Sequence, residues 1–365
     1  MSTNPRIYLD FNATTPLVAP ARAAMLDAMA RLGGNPSSIH AEGRDARDVV
    51  ERARTEVAML AGRPREHIVF TSGGTESNVL GVSALAAAAE RRGLPRVVVS
   101  SPIEHPSLLA AVRALADRGW EVRMTAAFEG VGLFAAAAVN HELGTLLDDR
   151  LLGAARAAGA LVHIDAVQAA GKRALRSIDA DSLAISAHKI GGPQGVGALA
   201  LAIDDAVVGF GHQERGRRGG TENTLGIAGF GAAAAAIGES AAWHVVRDFG
   251  NLLEAGIVAI PGTRIHGLGT ARIGGTINAG FAGARGEAIV IALDLAGVAA
   301  STGAACTSGT LQPSPVLLAL GQTPDEAREA VRFSLGRTTT RDEIERVVAL
   351  LAPIVERARL HFRAR

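Results

Sequence analysis

The feature that most constrains this chain is an alternation of short apolar runs with helical stretches over its first 240 residues. Ile68-Val69-Phe70, Val97-Val98-Val99, Glu121 to Met124, Leu133 to Val139, Leu161 to Ile164 and Ser182 to Ile185 read as strands. Pro20 to Leu32, Ala41 to Ala61, Val79 to Arg91, Pro106 to Asp117 and Leu151 to Ala158 read as helices. Short strands separated by helices pair mostly in parallel, so the expected class is α/β with a mostly parallel central sheet. Ligands of such sheets sit beyond the carboxyl ends of the strands. Thr75, His105, Asp165 and Lys189 each lie just after a predicted strand and can therefore converge on one crevice. After about residue 240 the pattern changes to a helix (Ala242 to Ile257), a strand (Gly275 to Ala279), and helices Gly286 to Leu295 and Arg341 to Ala358. The expected division is a large domain over 14–240 and a smaller α+β domain built from 1–13 and 241–365.

A hydrophobic fraction of 48% against 20% charged residues marks a globular chain. A formal net charge of +1, with no basic stripe, gives no electrostatic case for a nucleic-acid partner. Met1 to Arg6 is short and polar, unlike a signal or transit peptide, and the apolar stretch Gly226 to Ile237 is too short to span a bilayer. A cytoplasmic location without a membrane partner is expected. The single cysteine, Cys306, excludes an intrachain disulfide and a cysteine-based zinc cluster, and no metal site is expected. Of 37 basic residues only Lys172 and Lys189 are lysines. Arginine serves wherever charge suffices but cannot form an imine, so a surviving lysine is a candidate for amine chemistry.

Local context separates the two. Ser186-Ala187-His188-Lys189-Ile190-Gly191-Gly192-Pro193 holds Lys189 just past a buried strand with no acidic neighbour in sequence, which favours a free amine. Lys172, in Ala170-Gly171-Lys172-Arg173, precedes a charged segment, looks solvated, and reads as a surface or structural lysine. Ser72-Gly73-Gly74-Thr75, between a strand and a helix, suits an anion such as phosphate, although many tight turns look alike. Asp165 ends an apolar strand and needs a cationic or hydrogen-bonding partner, for which a protonated pyridine nitrogen would serve, as would a helix N-cap role. Cys306 has only small neighbours, Ser301 to Gly309, which predicts a movable, partly exposed loop suited to a nucleophile. His105 opens a helix at the same crevice edge, and Arg332, alternating with apolar neighbours, is expected to point inward toward a structural or substrate carboxylate. Gln213 to Thr221, with Arg215, Arg217 and Arg218, is glycine-rich and cationic and suits an anion.

Taken together, these motifs resemble the cysteine desulfurases of the NifS/IscS branch of the class V aminotransferases, which have PLP fold type I. The resemblance runs from Tyr8 to Thr339 through Asp10 to Pro16, Gly34 to Ser38, Phe70 to Asn78, Glu104-His105, His163 to Gln168, Ser186 to Gly197, Gln213 to Thr221, Ser301 to Ser308 and Arg332 to Arg337. It implies pyridoxal 5′-phosphate as cofactor, held as a Schiff base on Lys189, with Cys306 as the persulfide-forming cysteine. It implies His105 as the ring-stacking acid–base histidine, Asp165 as the partner of the ring nitrogen and Gln168 as the partner of the ring hydroxyl. Gly74, Thr75, Ser186 and His188 are implied at the phosphate, joined by Thr221 from the second subunit of a homodimer. Asn12, Asn35 and Arg332 are implied at the substrate, the last two at its carboxylate. Two departures stand out. Where the family reads Asn-Asn-Glu, this chain reads Asn140-His141-Glu142, so either His141 takes over a cofactor contact or Asn140 reaches the cofactor instead. The stretch Gly119 to Gly144 is also about one helix shorter than in relatives.

The implied activity converts L-cysteine to L-alanine with a persulfide on Cys306, for transfer to a sulfur-acceptor protein such as a scaffold or thiolation enzyme. Iron–sulfur cluster assembly, tRNA thiolation and a dedicated biosynthetic pathway are all compatible with the sequence. The alternatives are a selenocysteine or cysteine-sulfinate lyase, another class V enzyme, or a weakened paralogue acting as a binding subunit.

Overall fold

The structure, a computed structural model, describes residues 5–203, 211–237, 243–303 and 312–363. The chain runs through β1 (Ile7–Tyr8), α1 (Ala19–Arg31), α2 (Ala41–Ala61), β2 (Ile68–Thr71), α3 (Gly74–Arg91), β3 (Val97–Val99), α4 (Pro106–Arg113), β4 (Glu121–Arg123), β5 (Leu133–Ala137), α5 (Asp149–Ala157), β6 (Leu161–Asp165), β7 (Ser182–Ser186), β8 (Gly197–Leu201) and α6 (Thr224–Ile237). It continues through α7 (Trp243–Val258), β9 (Thr263–Ile265), β10 (Thr276–Phe281), α8 (Gly286–Leu295), β11 (Val298–Ala299), α9 (Pro315–Ala319), α10 (Pro324–Arg328), β12 (Ala330–Ser334) and α11 (Arg341–Arg363). These group into two compact units, one of Thr15–Val139 and Leu147–Ser240, the other of Met1–Thr14, Asn140–Leu146 and Ala241–Arg365.

The first unit is built on a seven-stranded sheet of order β2-β8-β7-β6-β5-β3-β4. Strands β4, β3, β5, β6 and β7 are parallel, as strand–helix alternation requires. Strand β8 is antiparallel to both β2 and β7, so β2 runs in the same direction as the parallel set. The sequence pattern does not announce β8, because Gly197-Ala198-Leu199-Ala200-Leu201 is small and poor in β-branched residues. Val69, Leu85, Val98, Leu108, Val112, Leu133 and Leu199 form the core around α3, α4 and the sheet. Helix α2 ends at Gly62 in the left-handed conformation (φ 62°), where a Cβ would lie 2.4 Å from that of Arg176. Helix α3 starts at Gly74 rather than the predicted Val79. Glycines suppress the helical signal, yet here Gly74 is required for packing, since a Cβ would sit 2.6 Å from Val167 Cγ2. Between β4 and β5 the chain makes turns and no helix.

The second unit has an antiparallel sheet of order β12-β10-β9 and a parallel pair β1-β11. Ile7, Leu9, Leu253, Ile257, Phe281, Leu293, Phe333 and Leu351 fill its core beneath α7, α8 and α11. The excursion Asn140–Leu146 belongs to this unit: Leu146 N–H donates to Ala271 O, and Thr145 bridges Arg272. No helix of the described residues is long and apolar enough to cross a membrane.

Candidate active site

Strand register aligns the chemistry of the first unit. Ala137 of β5 lies beside Asp165 of β6, and Asp165 beside Ala184 of β7, so Asp165 and Ser186 emerge at the same carboxyl edge. Beyond Ser186 the chain makes a single tight turn, Ala187–Lys189, whose Lys189 carbonyl accepts from Thr15 Oγ1 at 3.0 Å. The first turn of α3, with Thr75, follows β2 at this edge, and His105, the N-cap of α4, follows β3. The four residues expected to converge from sequence therefore share one sheet edge.

Electrostatics ties them together. Burial lowers the His105 pKa, the Asp165 carboxylate works against that, and the Lys189 ammonium adds to it. His188 is pushed down to about 4 by burial, with the Lys189 charge contributing. Glu104 is buried and its carboxylate accepts from Ala137 N–H at 2.8 Å. Burial drives its pKa up to about 8, opposed by that hydrogen bond and helped by the Asp165 charge.

Behind Asp165 lies a buried polar cluster. Asp165 Oδ1 accepts from Val167 N–H at 2.9 Å, and Oδ2 accepts from Asn78 Nδ2 at 2.8 Å. Asn78 Nδ2 also donates to Ser107 Oγ at 3.0 Å, and Asn78 Oδ1 lies 3.1 Å from His163 Nε2. His163 Nδ1 is 2.8 Å from Ser182 Oγ, and burial pushes this histidine down to about 3. Asn78, Ser107 and His163 were not singled out by the sequence reading. The signal for His163 was present, since residues two apart on a strand share a face and His163 precedes Asp165 by two.

Of the two expectations for Lys172, the solvated one is wrong and the structural one stands. It is buried, 9% exposed, and its Nζ donates to Gln168 Oε1 at 2.8 Å. The charged residues that follow it in sequence misled, because the turn after β6 folds Lys172 back onto Gln168 four residues earlier. Both lysines of the chain thus belong to this region.

In the second unit Asn12, His141 and Arg332 cluster. Asn12 Nδ2 and Arg332 Nη1 each donate to His141 O at 3.2 Å, and Asn12 Nδ2 also donates to Thr276 Oγ1 at 3.1 Å. Arg332 points inward as expected, and Nη2 meets a structural carboxylate, Asp10 Oδ1, at 2.8 Å. Its buried Nε has no hydrogen-bond partner among the described residues. Asn140 is buried, and its Oδ1 accepts from Glu142 N–H and Leu143 N–H at 2.9 Å, stapling its own turn. His141 Nε2 lies 3.7 Å from Glu142 Oε1, and Glu142 Oε2 accepts from Ser314 Oγ at 2.6 Å.

Asn35 is exposed and its Oδ1 accepts from Ser37 N–H at 2.9 Å, and Thr221 is exposed. Of the arginines beside Thr221, Arg218 pairs with Glu76 at 3.0 Å while Arg215 and Arg217 donate to Glu66 O. These are protein partners rather than a vacant cationic patch. Cys306 lies outside the described residues. No group of three or more His, Cys, Asp or Glu among the described residues could hold a metal ion.

Residues 7–347 match the family described as Aminotransferase class-V. Cysteine desulfurase 2 of Trichormus variabilis is 39% identical over 97% of this chain and 94% of its own length. A solved structure described as a NifS-like protein superposes with a TM-score of 0.83 at 28% identity, covering 96% of this chain and 98% of that one. The structure of SspA in complex with cysteine superposes with a TM-score of 0.76 at 27% identity, covering 92% of this chain and 100% of that one. A match of this length and identity, carried by a sheet edge that assembles a lysine, a histidine and a buried aspartate, decides the family: the chain belongs to the class-V aminotransferases and, among them, to the cysteine desulfurases.

Proposed function

We propose that this chain removes sulfur from L-cysteine with pyridoxal phosphate held at Lys189, leaving L-alanine and a persulfide on Cys306. The observation that carries the reading is the common sheet edge of Lys189, His105 and Asp165, within electrostatic reach of one another. The donor set fits the cofactor. Helix α3 begins at Gly74 behind the N-cap Gly73, with no side-chain cap among the described residues, which suits a phosphate at its first turn, and Ser186 Oγ faces Gly73. Asp165 offers a buried carboxylate to a protonated ring nitrogen, and Lys189 offers the amine.

In this reading Gly74, Thr75, Ser186 and His188 hold the phosphate, and Thr221 of a second subunit completes the site, making the working unit a homodimer. Gln168, with Asn140 or His141, serves the ring hydroxyl, and Asn12, Asn35 and Arg332 serve the substrate. Arg332 Nε, buried without a partner among the described residues, supports the carboxylate role. When bound, pyridoxal phosphate supplies an electron sink for the substrate's α-carbon. The Lys189 amine takes the α-proton, and the Asp165 carboxylate holds the opposite charge in place. Cys306 thiolate attacks the substrate sulfur, the carbon–sulfur bond breaks, and the carbon gains a proton, so that cysteine plus Cys306 thiol become alanine plus Cys306 persulfide. A sulfur-acceptor protein then takes the outer sulfur.

Wild-type protein should release alanine and, with a thiol reductant, sulfide from L-cysteine. Cys306→Ala should bind cysteine yet form no persulfide and lose at least about a hundredfold in alanine production. Turnover of cysteine at the parent rate by Cys306→Ala, or a preference for selenocysteine or cysteine sulfinate over cysteine, would sink this assignment.

Lys172 enters here as a positioning residue. Its hydrogen bond occupies Gln168 Oε1 and so fixes which end of the amide is the donor. Lys172→Met should weaken pyridoxal-phosphate binding to cofactor-free protein by roughly tenfold, the size of one hydrogen bond to a charged group. Equilibrium dialysis measures this directly, and an unchanged dissociation constant would return Lys172 to a purely structural role.

A further inference from the structure

The buried cluster behind Asp165 has a consequence that follows from which groups can donate and which can only accept. The geometry points to a relay of fixed hydrogen-bond polarity, from Asp165 through Asn78 and Ser107 to His105, that holds His105 in the tautomer with its proton on Nε2 and so makes Nε2 a hydrogen-bond donor. The inference deepens the desulfurase reading and rests on it for the role of His105 in turnover.

The two ends of the relay each have one permitted sense, and together they set the middle link. An ionised carboxylate only accepts, so the group of Asn78 facing Asp165 Oδ2 at 2.8 Å is its amide NH₂. The second hydrogen of that NH₂ points to Ser107 Oγ at 3.0 Å, which must accept it. Ser107 Oγ keeps its O–H and a second lone pair, so its 2.8 Å contact with His105 Nδ1 takes its sense from the state of Nδ1. That same Nδ1 accepts the backbone N–H of Ser107 at 3.2 Å, as the side-chain cap of α4. A backbone N–H cannot reverse. Nδ1 therefore carries no proton, Ser107 O–H donates to it, and neutral His105 is N–H at Nε2.

The opposite end of Asn78 secures the arrangement. Its Oδ1 can only accept, so His163 presents Nε2–H to it at 3.1 Å, and His163 Nδ1 in turn accepts from Ser182 O–H at 2.8 Å. His163 is fully buried, 0% exposed, which disfavours the doubly protonated ring that would upset this order. Gly81 is part of the device, since a Cβ there would stand 2.5 Å from the His163 ring. The ring is packed against α3 and cannot turn over without moving the helix.

The charged groups that face His105 are Asp165 and Lys189, of opposite sign, with Glu104 adjacent in sequence. Protonating Nδ1 would require His105 to give up its cap of α4 and to oppose Ser107 O–H. The relay therefore resists the imidazolium from the Nδ1 side. Neutral His105 therefore enters the reaction as an Nε2–H hydrogen-bond donor, and proton removal falls to Lys189.

The test is ¹⁵N-histidine NMR on the full-length holoenzyme, with His105 assigned by the signal lost in His105→Gln. The expected spectrum shows unprotonated Nδ1 and protonated Nε2 at neutral pH. In Ser107→Ala, which removes the O–H donor but keeps the backbone cap, the His105 titration midpoint should rise by roughly one unit, the weight of one hydrogen bond. A proton on Nδ1 in the parent protein overturns the relay, and so does an unmoved midpoint in Ser107→Ala. The tautomer is read whether or not cysteine turns over. A chain that makes no alanine but keeps Nε2–H therefore supports the relay while overturning the desulfurase reading.

Discussion

Replacing Lys189 with alanine should abolish turnover of L-cysteine, by at least about a thousandfold, and remove the visible absorbance of a covalently held cofactor. Two roles are lost together. Lys189 is the amine placed at the carboxyl edge of the sheet by the turn Ala187–Lys189, and in the proposed mechanism it is the base for the substrate's α-proton. Lys189→Arg should fail almost as completely, because guanidinium keeps the charge but forms no imine and gives up no proton near neutral pH. Lys172 cannot substitute, since its Nζ is committed to Gln168 Oε1. The measurement is an absorbance scan beside an alanine assay on both variants. Parent-like absorbance with turnover within tenfold of the parent would move the cofactor away from Lys189.

Glu214→Ala should destabilise the protein by about 3–5 kcal/mol, the range for breaking a buried ion pair from one side. Glu214 is 6% exposed and Arg54 5% exposed, and they pair at 2.7 and 2.8 Å. Arg54 Nη1 also donates to Ile68 O, its guanidinium lies 4.8 Å over the Phe70 ring, and Glu214 Oε2 accepts from Phe70 N–H. Burial works against the Arg54 charge, and the hydrogen bonds and charge of Glu214 more than offset it, leaving the Arg54 pKa raised. The pair also holds Glu214 and Arg215 in left-handed backbone, φ 48° and 60°, which costs about 1–2 kcal/mol per non-glycine residue. That strained turn leads into Thr221, so the ion pair fixes where the segment starts. Urea unfolding followed by circular dichroism gives the loss, and Glu214→Gln, which keeps acceptors but not charge, should fall between parent and Glu214→Ala. A loss below about 1 kcal/mol would mean the pair behaves like an exposed one.

Much of this architecture was legible in the chain itself. Local periodicity located α2 and α8 to the residue, because a 21-residue amphipathic run and a glycine stop need no distant information. The placement of Thr75, His105, Asp165 and Lys189 after strands was enough to expect one crevice, since parallel strands end together. Strand β8 was not legible, because alanine and glycine carry little strand preference and its pairing comes from β2 and β7 on either side.

The chemistry available, and the sheet edge that presents it, follow from the local pattern of the chain: one lysine beyond a buried strand, one histidine opening a helix, one aspartate closing β6. Which neighbours those groups have depends on how distant elements pack together. Lys172 is buried because the turn after β6 returns on itself, not because of anything in its flanking residues. Asn78, Ser107 and His163 come from a helix, a second helix and a strand separated by up to 85 residues, and they meet because α3 packs on the sheet through Gly81. Arg332 finds Asp10 322 residues earlier. Periodicity reports one element at a time, whereas hydrogen-bond partners, burial and the proton order they impose depend on which elements are packed together.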